Sequence, residues 1–374
     1  MISGKKYAFG HRIGRRGFLK AGAAAAAALA MPTIGLSRKV QAAGQFAGQT
    51  LRVLTWTDES GQAAVANIMR PFEAQTGAKI IADLTGATSE MVAKIKASAS
   101  NPQYDLVILS GVGAIELAKQ GLLDKPDPDK IPNLAKVAPD LRFGGDGYAV
   151  GYLLSTQGLM YSSARVNPAP TSWKALWDDR YAQKIFLPPP QWVEAMELTL
   201  VAIHFAGATV EKPDAGFDLL KQLKSRVVTL GENPPQVAEL FRAGTLDVGG
   251  PTSPLYYPGT LSNPDYALNI THDLEEGFYF DPQFMVMPKG HPGNADAVLA
   301  LMNYALDAGV QAKMVGSVAY GTLNQDVVLP PDVLKRPGIV SPELIKKRGI
   351  SINQPYLAEV RADWIQRYTE IFGM

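Results

Sequence analysis

Trp56 and Asp58, separated by Thr57, stand directly behind the β-rich run Leu51-Arg52-Val53-Leu54-Thr55, and so present an indole face and a carboxylate at the end of a strand-like segment. An indole face attracts an alkylammonium by roughly 0.5–2 kcal/mol, and a charge-assisted hydrogen bond from such a cation to Asp58 adds about 1.5–3 kcal/mol. A core position beside the strand end accounts for Trp56 equally well. Catalytic patterns are otherwise missing. Without cysteine the chain has no thiol nucleophile, disulfide, iron-sulfur ligand or Cys-ligated zinc. His11, His204, His272 and His291 are scattered, which disfavours a His-built metal site, and no cofactor is expected. No nucleophile elbow, His-Glu-x-x-His or P-loop occurs. Ser110-Gly111-Val112-Gly113 links a strand to a helix and has backbone N–H groups to offer an anion. Glu116 stands where a dinucleotide fingerprint needs its third glycine, so a tight turn is the better reading. An enzyme here would have to work with carboxylates alone.

The elements that position these residues alternate strand and helix. Leu51–Thr55 precedes a helix over residues 62–74, with Val65, Ile68, Met69 and Phe72 at three- and four-residue spacing and Gly77 as its stop. The unit repeats as strand 79–84 with helix 90–98, then strand 105–109 with helix 114–120 before Gly121. Three such units predict a parallel sheet covered on both faces. Helices follow over 192–205 and 214–224, and Asn233-Pro234-Pro235-Gln236 opens another by capping. Strands 226–230 and 246–248 flank that last helix and suggest a second α/β lobe. A strand near 284–287 and a helix over 294–306 complete the reading.

Length and charge narrow the class. At 374 residues, 47% hydrophobic and 19% charged, the chain is too long for one core and comfortable for two lobes. Residues 1–42 carry eight basic side chains and no acid, an alanine-rich run over 21–30, and Val40-Gln41-Ala42, which suits signal-peptidase cleavage after Ala42. Arg15-Arg16-Gly17-Phe18-Leu19-Lys20 resembles the twin-arginine export motif, departing from it at Gly14. Export to a periplasm follows. The remaining 28 basic and 35 acidic residues leave a mature charge of about −7, which opposes nucleic acid.

Three stretches carry a family resemblance: Leu51 to Asp58, Pro71 to Ile80, and Tyr104-Asp105-Leu106-Val107-Ile108-Leu109-Ser110. They are similar to the opening of the periplasmic solute-binding proteins of ATP-binding-cassette importers, in the spermidine/putrescine branch. Tyr148 to Tyr152, Gly158 to Tyr161, Thr171 to Asp178 and Tyr320 to Asn324 continue the likeness in the family's order. The resemblance implies an α/β, type II two-lobed binding protein, each lobe a sheet flanked by helices, with the ligand cleft between lobes. It divides the chain into a signal over 1–42, a first lobe of 43–153 plus 283–322, and a second of 154–282 plus 323–374. The implied activity is capture of a small amine-bearing solute, polyamine-like or amino-acid-like, by closure of the lobes, and delivery to a membrane permease. The protein is expected to be a monomer and not an enzyme.

By the same resemblance Trp56, Thr57 and Asp58 line the solute, Ser110 matches a ligand-contacting serine, and Tyr320 matches a tyrosine at the lobe crossing. Other family positions have changed. Val112 replaces a tyrosine, Pro190 and Val193 replace an acidic pair with Glu194 one place off, and Asp281 and Gln283 stand where a Trp and an Asp are expected. Deleting one partner of a buried charge pair costs about 3–5 kcal/mol. Either Glu194 and Asp281 supply the missing acids, or the solute is not a true polyamine. Trp192, Thr252, Ser253 and Gln283, with Ser155 and Thr156 at the first crossing, add an aromatic wall and neutral hydrogen-bond partners. Tyr256-Tyr257 resembles the phenolate pair of ferric-iron-binding relatives, since hard oxygen donors suit a trivalent cation. A secreted carboxylate enzyme is the remaining alternative.

Overall fold

The structure, a computed structural model, describes residues 44–352 and 354–373; the twin-arginine segment and the cleavage site expected at Ala42 lie outside the described residues. The chain divides into two compact units. Of the described residues, the first holds those up to Leu109, Gly113–Gly151 and Phe284–Val310; the second holds Ser110–Val112, Tyr152–Gln283 and those from Gln311 onward. Residues 311–322, expected with the first lobe, belong to the second unit. The fully buried Gln311 ties them there. Its amide donates to the Tyr152 carbonyl at 2.8 Å, and its Oε1 accepts the Leu323 and Asn324 N–H groups, each at 3.0 Å.

In the first unit the strand Thr50–Trp56 pairs in parallel with Lys79–Thr85 along its whole length and with Leu106–Ser110 on its other edge. Leu51, Val53, Leu54, Val107 and Leu109 are all buried, as strands covered on both faces require. Helical structure runs from Glu59 to Thr76 through a π-helical turn, Val65–Met69, and stops at Gly77, whose φ of 75° is the left-handed stop that glycine supplies. The expected tight turn after Ser110 is absent, because the helix Gly111–Lys119 begins as the strand ends. Met91, Val92, Ile95, Leu117, Phe284 and Val286 close the core around Leu54.

The second unit is built on a five-stranded sheet ordered Leu268–Thr271, Gly158–Ser162, Val248–Thr252, Ile185–Leu187, Val227–Leu230. Its central strand runs antiparallel to Gly158–Ser162 and parallel to Ile185–Leu187. Phe186, Phe241, Val237, Leu246 and Tyr257 form the core on it. The helix Val193–Phe205 packs against both Asp214–Lys221 and the C-terminal helix Gln354–Phe372. Gly216 makes the first contact possible, since a Cβ there would lie 2.8 Å from the Ile203 Cα. Asn233 caps Pro234–Arg242 by accepting the Gln236 N–H at 3.2 Å, as its sequence predicts. The strand expected over 284–287 is 11 residues long, Phe278–Pro288, and carries the chain from the second unit into the first.

Candidate functional site

The helix Val193–Phe205 has the sequence VEAMELTLVAIHF, and its two acids sit three residues apart among apolar neighbours. That spacing puts both on one face. Glu194 is 1% exposed and Glu197 is 0% exposed. Asp281, on the strand Phe278–Pro288, is buried as well, and the three carboxylates act on one another electrostatically. Burial is the main cause that drives all three toward their protonated forms. It raises Asp281 to about 7, with Glu194 adding to the effect, and Glu194 to about 6. Glu197 rises well above the usual carboxylate range, through burial and then the charges of Glu194 and Asp281.

The polar partners around this cluster are few. Tyr256 donates its hydroxyl to Glu194 Oε1 at 2.8 Å, and its ring lies 4.9 Å from the Trp192 indole at 54°. Gln283 donates to the Asp281 carboxylate at 3.3 Å. Among the described residues, Glu194 Oε2 and both oxygens of Glu197 have no hydrogen-bond partner, and no ion pair involves either glutamate. Arg361, on the neighbouring C-terminal helix, instead donates to the Gln191 carbonyl at 2.7 Å. Buried polar groups are normally satisfied, so two glutamates in this state are unusual, and burial favours their protonated forms.

The structure thus brings together Trp192, Glu194, Tyr256, Asp281 and Gln283 of the residues singled out in sequence, and adds Glu197 and Tyr279. Ser155 and Ser253 form a separate pair at 3.4 Å, where Ser253 also caps the short helix Pro254–Tyr256. Thr156 is buried with its hydroxyl unpartnered among the described residues, Thr252 ends the central strand, and the buried Tyr320 lies near Tyr152. In the first unit Trp56 is half-buried against the Leu54 core, and Gly61 lets its carbonyl approach, since a Cβ at 61 would sit 1.8 Å from that oxygen. Thr57 and Asp58 are exposed. Asp58 Oδ1 accepts the Ser60 and Gly61 N–H groups at 2.9 and 3.2 Å, so it caps the helix that follows. Ser110 is the half-buried last residue of its strand.

Glu197, like Tyr279, belongs to this candidate site without having been singled out in sequence. Two acids at i and i+3 in an otherwise apolar helix were the available signal. The ferric alternative gains no support. Tyr256 spends its proton on Glu194, and loss of hydration, followed by the Glu194 charge, pushes its phenol well up; burial does the same to Tyr257. A phenolate ligand needs the opposite shift. Among the described residues no group of three or more His, Asp or Glu side chains is placed to hold a metal ion. A concavity of about 430 Å³ in the second unit is lined by Phe217, Lys221, Lys224, Arg367, Glu370 and Ile371; it shares no residue with the acids and carries the wrong charge for an amine.

Comparison with known proteins agrees in fold and class. The family model described as bacterial extracellular solute-binding protein matches residues 67–340. A spermidine/putrescine-binding periplasmic protein of Haemophilus influenzae is 24% identical over 340 residues, covering 84% of this chain and 90% of that protein. A gamma-aminobutyric acid-binding protein of Pseudomonas aeruginosa is 25% identical over 300 residues, covering 76% of this chain and 80% of its own. Among solved structures, an ABC transporter from Clostridium perfringens superposes with a TM-score of 0.74 at 23% identity, covering 86% of this chain and 99% of that one. The two sheets flanked by helices are those of the type II periplasmic binding proteins.

Proposed function

Because this chain belongs to the family of bacterial extracellular solute-binding proteins, we propose that it is the periplasmic substrate-binding component of an ABC importer and that its solute docks an ammonium group at Glu194, Glu197 and Asp281. The observation that carries this reading is the pair of buried glutamates without a cation in reach among the described residues. Ionising a carboxyl buried without a partner costs several kcal/mol, so such a group tends to keep its proton; a positive ligand offsets that cost and gains charge-assisted hydrogen bonds. Trp192 and Tyr256 add aromatic faces of the kind that attract alkylammonium ions. Gln283, and the neutral groups Thr252, Ser155, Ser253 and Thr156, suit an amino-acid-like solute as well as a diamine. The names of the H. influenzae and P. aeruginosa relatives both denote amine-bearing ligands.

Calorimetric titration with putrescine, spermidine and 4-aminobutyrate tests this directly. A dissociation constant near micromolar, about −8 kcal/mol, is expected for at least one of them. Binding of neutral or anionic solutes alone would refute the reading.

Trp56, Thr57, Asp58, Ser110 and Tyr320 remain proposed contacts on the strength of the resemblance, as does capture by lobe closure. Delivery to a membrane permease and the absence of turnover are part of this proposal; incubation with a bound amine should return it unchanged. Export by the twin-arginine machinery rests on Arg15-Arg16, and replacing both with lysine should leave the protein in the cytoplasm on fractionation. A monomer in sedimentation is expected.

A further inference from the structure

Glu194 and Glu197 share a helix face but not an environment. Glu194 lies in the first turn, where unpaired N–H groups favour an anion, and it receives the Tyr256 hydroxyl. Glu197 lies one turn deeper, beyond that help, with neither oxygen hydrogen-bonded among the described residues. Asp281 faces both from the strand and receives the Gln283 amide. The other titratable groups facing the cluster are phenols: Tyr256 and Tyr257 from the segment after the central strand, and Tyr279 from the strand that bears Asp281. On the two helices packed against Val193–Phe205, Arg361 is bonded to a carbonyl, and Asp214, Asp218 and Lys221 are engaged with Arg367 and with each other. Three buried carboxyl groups therefore act on one another, and charging all of them at once is strongly disfavoured.

We propose that this cluster exchanges a proton for its solute: Glu197 remains a neutral acid with or without ligand, and each docking ammonium expels one proton held between Glu194 and Asp281. The inference rests on the amine-binding reading and deepens it. The charges balance, because one cation enters as one proton leaves to solvent, and the buried volume keeps the same net charge. The site is thereby matched to a single positive end group. A second cation at the same place would have to ionise Glu197, which has no donor to stabilise its charge. Affinity should rise with pH while the shared proton is being lost, since the deprotonated pair is the form that binds.

The test is calorimetry with putrescine in buffers of different ionisation enthalpy. An alkylamine keeps its own proton at neutral pH, so any proton released comes from the protein. We expect about 0.5–1 proton released per putrescine at pH 7, and affinity climbing up to about tenfold per pH unit below pH 7 and levelling off above pH 8. Asp281→Asn should bind more weakly and release less than about half of the wild-type count. Infrared spectra of the putrescine complex should retain the carbonyl band of a protonated carboxylic acid, which Glu197→Gln removes. Binding with buffer-independent heat overturns the proton exchange and leaves the amine reading intact. A complex without the acid band, or one whose band survives Glu197→Gln, overturns the assignment to Glu197. Failure of every amine to bind overturns both readings. If either variant fails to fold, the wild-type proton count and pH profile still decide the exchange.

Discussion

Replacing Asp281 with Asn should make the unliganded protein more stable. In the folded protein this carboxyl ionises at about 7, against an ordinary value of 3.8, because burial and the neighbouring Glu194 oppose its charge. The folded state therefore holds a proton that the unfolded chain has already given up. A raised carboxyl contributes nothing while both states are protonated, and its destabilising effect grows as pH climbs from about 4 to about 7. Each pH unit in that window costs about 1.4 kcal/mol, or about 4 kcal/mol in all by pH 8. An amide carries no charge and escapes the penalty. At pH 8 Asp281→Asn should melt roughly 5–10 °C above wild type by differential scanning calorimetry, with the gap closing toward pH 4. Its amine affinity should fall in the same preparation. Equal melting temperatures at pH 8, or a variant less stable there, would refute the claim that a buried, charge-opposed carboxyl sits at 281.

Further outcomes concern binding. Glu194→Gln removes a charged partner for the ammonium and should weaken putrescine or 4-aminobutyrate binding about 10- to 100-fold by calorimetry. Trp192→Ala should cost roughly 2- to 30-fold, the range of a cation-aromatic contact, without unfolding the helix, because this N-cap residue makes no side-chain cap bond. Tyr256→Phe deletes the hydrogen bond that favours ionised Glu194, so the affinity loss should be greatest near pH 5–6 and smallest above pH 8. Asp58→Ala should lower stability by about 1 kcal/mol through the lost cap, read from denaturant unfolding.

The parallel trio in the first unit was readable because Leu51, Val53, Leu54 and their partners obey the pattern that burial on both faces demands, with Gly77 and Gly121 marking the helix ends. Asn233 announced its cap for the same local reason. The helix Val193–Phe205 was also visible, yet its role was only half visible. Glu194 drew notice by nearly matching a family position, whereas Glu197 matches none and declares itself only when Asp281, 84 positions downstream, folds against it. Asp58 has a role that its type and place did not announce: its Oδ1 serves the backbone of Ser60 and Gly61. Long strands were underestimated where a run such as Phe278–Pro288 contains Asp281, Pro282 and Gln283, residues that a propensity reading treats as breaks but that tertiary pairing overrides.

The absence of a side chain at Gly216 reaches further than its own helix. With the Ile203 backbone already pressed against it, one added methyl would shove the neighbouring rod sideways and carry Glu197 and Glu194 with it, six and nine residues along the helix from the intruding carbon. Capture of the nutrient would then suffer from a change that never touches the nutrient, so sensitivity to substitution in this protein follows the stiffness of its scaffolding as much as nearness to the bound molecule.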